Sequence, residues 1–203
     1  MTTTRLARLL SLAAVLGTMA CSSAPSRFYT LDATAADAGG RALRRAILVG
    51  PVSVPATVDR PELVVQIAPN QVEVDEFNRW AGPLGDAVAR VVAANLTTLL
   101  GTPDVASAPL ASFAPDYRVT IDVQRFESRP GDAVHFDAVW LVKPTAGGRV
   151  RSGRTTTSEP LGGKDYAAIA AAHSRALGTL SADIAAAIRT ADASGPAPEH
   201  TDR

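Results

Sequence analysis

The chain has 203 residues, a length for one domain with tails, and its 20 Lys plus Arg balance 20 Asp plus Glu to zero formal net charge. The lack of a basic excess argues against nucleic acid as a partner, and 46% hydrophobic residues support a packed core over wholesale disorder. One cysteine excludes any intramolecular disulfide, three histidines leave little for a metal centre, and a mean hydropathy of +0.09 is too polar for a polytopic membrane protein.

Arg5 and Arg8 precede a short apolar run over 9–16, and small residues lead to Cys21. The pattern predicts a secretory signal over 1–20, too short to span about 30 Å of hydrocarbon as a helix. Thr18-Met19-Ala20-Cys21 resembles the bacterial lipobox, with Thr18 where Leu is usual. That resemblance implies cleavage before Cys21, a diacylglyceryl thioether on its sulfur, and a fatty acyl chain such as palmitate on the new amine. Ser22 replaces the Asp that retains enterobacterial-type lipoproteins in the inner membrane, which implies an outer-membrane destination. Each buried methylene contributes about 0.8 kcal/mol and one chain alone binds marginally, so several chains hold a protein on a bilayer. Residues 21–27 then form an acylated tether reaching about 20 Å.

The expected domain spans 28–190. Phe28 to Leu31 is strand-like, and 32–45, rich in Ala, Asp, Gly and Arg, reads as a mobile loop. Residues 47–54 are apolar and β-branched, with an edge or bulge expected at Pro51. Pro69-Asn70, between 63–68 and 71–74, predicts a hairpin turn. Residues 83–100 predict a helix opened by Pro83 and closed by Gly101, with Leu84, Val88, Val91, Val92, Leu96 and Leu99 as its stripe. Asp86, Arg90 and Asn95 fall off that stripe. Strands follow over 117–126, 133–142 and 149–158, and then a second helix over 165–189 with a stripe of Ile169, His173, Leu177, Leu180, Ile184 and Ile188. Residues 191–203 predict a frayed tail. The order gives an α+β two-layer sandwich, a mostly antiparallel sheet with two long amphipathic helices on one face.

Chemistry-bearing motifs are sparse. No Gly-x-Ser-x-Gly elbow, phosphate loop or His-Glu-x-x-His is present, and no metal site or cofactor is expected. His135 and Asp137 share a strand face and could form an acid–base pair, although a solvated face explains them better. His173, on an apolar stripe, reads as a packed histidine bonded to a loop carbonyl. Arg149, Arg151 and Arg154 read as a basic stripe that protects an edge strand or meets lipid headgroups. Phe77 and Trp80 either cap the core or, beside the Asp59-Arg60-Pro61-Glu62 loop, anchor a protein partner. Phe77, Trp80, Asp59 and Arg60 are the candidate partner-binding residues.

Several segments together resemble one family: Phe28-Tyr29-Thr30-Leu31, Val49 to Pro55, Asp59-Arg60-Pro61, Phe77 to Leu84, Asn95 to Gly101, Ala172 to Leu177 and Leu180 to Ala185. They look like the auxiliary lipoproteins of ABC-type and MCE-type intermembrane transport systems, the PqiC or YmbA group. The resemblance implies a non-enzymatic subunit on the periplasmic face of the outer membrane that docks an MCE-domain protein carrying lipids. It also implies that homo-oligomeric rings occur. The alternative reading is a membrane-anchored periplasmic lipid-binding carrier or hydrolase, which needs an apolar cavity between helices and sheet, or catalytic geometry at His135 and Asp137.

Overall fold

The computed structural model describes residues 25–36 and 39–194. Cys21, the leader and the tail over 195–203 lie outside the described residues. The chain runs β1 (Arg27–Tyr29), β2 (Ile47–Ser53), β3 (Glu62–Ala68), β4 (Gln71–Trp80), α1 (Leu84–Leu100), β5 (Val105–Ala106), β6 (Tyr117–Ser128), β7 (Ala133–Pro144), β8 (Arg151–Pro160) and α2 (Tyr166–Ala193). The tether's last residue, Arg27, is thus already in a strand, and α2 continues four residues past the expected Arg189.

The α+β class stands, with the strands divided between two mixed sheets rather than gathered in one. The larger is ordered β5-β2-β6-β7-β8 and the smaller β1-β4-β3. In the larger, β6, β7 and β8 form an antiparallel meander, while β2 runs parallel to both β5 and β6. A parallel neighbour needs a crossover, and the β3–β4 hairpin followed by α1 supplies it between β2 and β6. The register of β2 shifts between Val49 and Val52, at Pro51, whose ring nitrogen cannot donate to a ladder. The hairpin turns at Pro69-Asn70 with Asn70 in the left-handed region at φ 62°.

Both helices cover one face of the larger sheet. Val88, Val92 and Leu96 of α1 and Leu177, Leu180 and Ile184 of α2 are fully buried, against Val119, Ile121, Phe136 and Ala138 of the sheet. Each such side chain contributes about 1.5–3 kcal/mol of burial free energy. Arg118, Asp122, Gln124 and Lys143 stand exposed on the opposite face, as strand alternation requires. Gly101 caps α1 in the left-handed region at φ 62° and donates its N–H to the Thr97 carbonyl. Pro83, expected as the first helical residue, sits instead at the N-cap, one position before Leu84. Asp165 caps α2 by accepting from the Ala168 N–H at 2.8 Å.

The long second helix runs antiparallel along the edge strand β8. Arg175 bonds Glu159 at 3.2 Å, the Thr155 hydroxyl bonds Asp183 at 2.6 Å, and Arg151 reaches the Thr190 carbonyl at 3.3 Å. Gly153 makes room for this packing: a Cβ there would lie 2.2 Å from Trp140 Cζ2 on β7. The indole N–H donates to Thr155 Oγ1 at 3.1 Å, which satisfies a polar group the core would otherwise strand.

Candidate functional site

The segment leaving β1 is fastened, not mobile as its composition suggested. Leu31 is buried in the core, and the Asp32 N–H donates to Ser174 Oγ at 3.1 Å. The Thr34 and Ala35 N–H groups both donate to Asn95 Oδ1, at 3.0 and 2.9 Å. The Thr34 hydroxyl donates to the Ser174 carbonyl at 3.2 Å. Asn95 completes its bonding through Nδ2 to Ser181 Oγ at 3.2 Å, and Ser181 donates on to the Leu177 carbonyl at 2.6 Å. Asn95, off the apolar stripe in sequence, is therefore fully buried between the helices. Gly178 lets the crossing chain approach, since a Cβ there would lie 2.6 Å from Thr34 Oγ1. Asn95, Ser174, Gly178 and Ser181 form a strap site that holds the chain just after its N-terminal strand.

The same end of the domain holds the aromatic cluster. Trp80 is 6% exposed and packs edge-on against Phe126 and His173, at centroid distances of 6.1 and 6.4 Å. It caps the core and offers a partner little surface. His173 stacks on Phe126 at 3.7 Å with rings 3° apart. Its Nε2 bonds Ser128 Oγ at 2.9 Å, a serine hydroxyl in place of the expected loop carbonyl. Complete burial pushes its pKa down to about 3, so the ring is neutral at ordinary pH. Its Nδ1 is buried and has no partner among the described residues, and Ser128 is 3% exposed. A serine–histidine nucleophile needs an accessible hydroxyl and a group orienting the second ring nitrogen. This pair has neither.

Asp59 and Arg60 are exposed, and with Pro61, Trp80 and Leu84 they line a shallow recess of about 310 Å³. Arg60 is turned toward Glu62 at 3.1 Å, and Arg79 meets the same carboxylate at 2.8 Å. Phe77 is exposed on β4, outside that recess. Burial opposes ionisation of Asp75, yet the Tyr166 hydroxyl, the Asn78 side chain and two backbone N–H groups hold its carboxyl below the usual range. Burial and that carboxylate push the Tyr166 phenol up, so this contact joins β4 to the first turn of α2.

His135 and Asp137 do not work together. Both Asp137 oxygens accept from Arg154, at 2.8 and 2.6 Å. The basic stripe divides for the same geometric reason. Arg151 and Arg154 are an odd number of residues apart and so point to opposite faces of β8. Arg151 turns to the end of α2, Arg154 to Asp137, and Arg149 lies before the strand. Among the described residues no group of three or more His, Cys, Asp or Glu could hold a metal ion. No helix among them is long and apolar enough to cross a membrane.

A family model described as an ABC-type transport auxiliary lipoprotein component matches residues 29–185, from the end of β1 through most of α2. The chain belongs to this family. No curated protein sequence matches the chain. Among solved structures it is similar to protein XCC0632 from Xanthomonas campestris, with 22% identity, a TM-score of 0.70, and 83% of this chain and 98% of that one covered. It is also similar to the crystal structure of an uncharacterized protein, with 23% identity, a TM-score of 0.67, and coverage of 81% and 99%. These likenesses show the fold alone. The family makes the chain a lipoprotein and an auxiliary component of an ABC-type transport system.

Proposed function

We propose that this auxiliary lipoprotein sits on the periplasmic face of the outer membrane, held by acyl chains on Cys21, and docks an MCE-domain protein of an intermembrane lipid transport system. The observation that carries the reading is positional. The family match begins at residue 29, eight residues after the chain's single cysteine, which closes a lipobox-like run. The strap supports it mechanically. Pairing of Arg27–Tyr29 with β4 fixes the place where the tether leaves the domain, and the bonds to Asn95 and Ser174 hold the chain just beyond that strand.

A carrier or hydrolase fits less well. Between helices and sheet the space is filled by the buried aliphatic side chains of α1 and α2, and the recesses among the described residues open at the surface. Asp137 is saturated by Arg154, and Ser128 is buried. The test is purification from native-host membranes. The protein should fractionate with the outer membrane and bring an MCE-domain subunit with it, and Cys21→Ala should shift it to the soluble periplasm. Recovery with the inner membrane, or without any transport subunit, contradicts the proposal.

A further inference from the structure

The two helices run parallel. Asn95 of α1 meets Ser181 of α2, and further along Leu99 meets Arg189. Their N-terminal ends lie beside β1: Tyr29 is 6.2 Å from Tyr166, and its carbonyl accepts from the Ala81 N–H just before α1. The tether therefore leaves at the N-terminal end of both helices. The opposite end is about 40 Å away, the length of the 28-residue α2 at about 1.5 Å per residue.

Exposed charge is mixed at the tethered end and mostly basic at the other. At the tethered end the carboxylates Asp59, Glu73, Glu76, Asp86 and Asp165 stand among the cations Arg27, Arg60 and Lys164. At the far end two adjoining recesses, about 700 and 260 Å³, share Arg45 and Asp192, and are lined by Arg41, Arg44, Arg149, Arg151 and Arg189. Arg118 and Lys143, paired across β6 and β7 next to Tyr117 and Pro144, extend the same end along the outer sheet face.

Part of this charge has structural work. Arg189 donates to the Leu99 and Arg41 carbonyls, Arg151 to the Thr190 carbonyl, and Arg45 pairs with Asp192 at 2.7 Å and Asp116 at 3.6 Å. Those contacts satisfy and offset the carbonyl ends of two parallel helices. They also occupy Asp116 and Asp192, two of the carboxylates at this end. Arg41, Arg44, Arg118, Lys143 and Arg149 are exposed, and no carboxylate among the described residues pairs with them. Among the described residues, folding does not account for five unpaired cations at the end most remote from the tether, where Asp104 is the other exposed carboxylate.

We propose that this arginine-rich pole, Arg41, Arg44 and Arg149 foremost, is a docking surface for a carboxylate-rich protein surface. It rests in part on the proposed anchoring through Cys21. A tether of about 20 Å holds the end of mixed charge toward the bilayer and leaves the basic pole as the part farthest from the point of attachment. A partner arriving across the periplasm meets that pole first, and guanidinium forks suit bidentate carboxylate recognition. Charge complementarity of this kind speeds encounter and weakens with salt.

The test uses the acylated full chain in phosphatidylcholine vesicles, with labelled poly-L-glutamate as the probe. Two triple variants change net charge equally: R41E/R44E/R149E at the pole, and R27E/R90E/K164E on exposed cations elsewhere, with circular dichroism verifying the fold of each. Wild type and the second variant should bind the probe, with affinity falling about tenfold or more between about 50 and 300 mM salt, and the pole variant should lose about tenfold or more. No binding by wild type, or equal loss in both variants, overturns the proposal. So does wild-type clustering with phosphatidylglycerol vesicles in place of probe binding, because the pole would then be a lipid-headgroup surface. Purification of the transport subunit separates the two readings. Recovery by wild type and by the pole variant alike overturns the docking surface while the function stands; probe binding without any transport subunit leaves the surface and removes the function.

Discussion

Asn95→Ala probes the strap most sharply. The substitution removes one acceptor that serves two backbone N–H groups and one donor to Ser181 Oγ. A typical hydrogen bond contributes about 0.5–1.5 kcal/mol net, and a buried group left unpaired costs about 1–3 kcal/mol. Thr34 is exposed, so its N–H regains water, whereas Ala35 is half-buried and Asn95 fully buried. The expected loss is about 2–4 kcal/mol, or about 4–16 °C in Tm for a domain of this size. Differential scanning calorimetry reads the total, and amide hydrogen exchange reads the mechanism. Thr34 and Ala35 should lose protection strongly, while the central turns of both helices keep theirs. A Tm within about 1 °C of wild type, with unchanged exchange at those two amides, would refute the strap.

Gly178→Ala should unseat the same crossing from the other side, since its new methyl would overlap Thr34 Oγ1; about 1–3 kcal/mol should be lost in urea titration. Gly153→Val should displace the Trp140 ring, lower stability by about 3 kcal/mol or more, and red-shift tryptophan emission. His173 is held neutral with its pKa lowered to about 3 by burial, below its unfolded value of 6.5. Its contribution is therefore complete above about pH 6.5 and falls by about 1.4 kcal/mol per pH unit as pH drops toward 3. His173→Phe should flatten wild-type stability over that window, and identical pH slopes in the two proteins would dismiss the effect. Arg154→Ala should cost at most about 1 kcal/mol, because the Arg154 side chain is 57% exposed in its pair with Asp137.

Features with a local cause were readable in the chain. Pro69-Asn70 announces its turn, the aliphatic spacing of both helices announces their buried faces, and Gly101 announces the end of α1. Non-local features were not. Asn95 reads only as a position off the apolar stripe because the amides it serves lie 60 and 61 residues away. The loop it holds has the composition of a mobile segment for the same reason. The second sheet was hidden because β1 has three residues and pairs in parallel with β4, far along the chain. Trp80 carried both readings, and the histidine and phenylalanine that bury it belong to α2 and β6. The basic pole escaped notice because the whole chain sums to zero, and the fold then gathers arginines from 41–45, 149–151 and 189 at one end.

The account depends on Cys21 being an acylated N-terminus, and intact-mass and tandem mass spectrometry of the protein from its native membrane tests that directly. The predicted N-terminal peptide begins at Cys21 and carries a diacylglyceryl group on sulfur with a third acyl chain on the amine. A peptide that begins elsewhere, or one with an unmodified thiol, would contradict it.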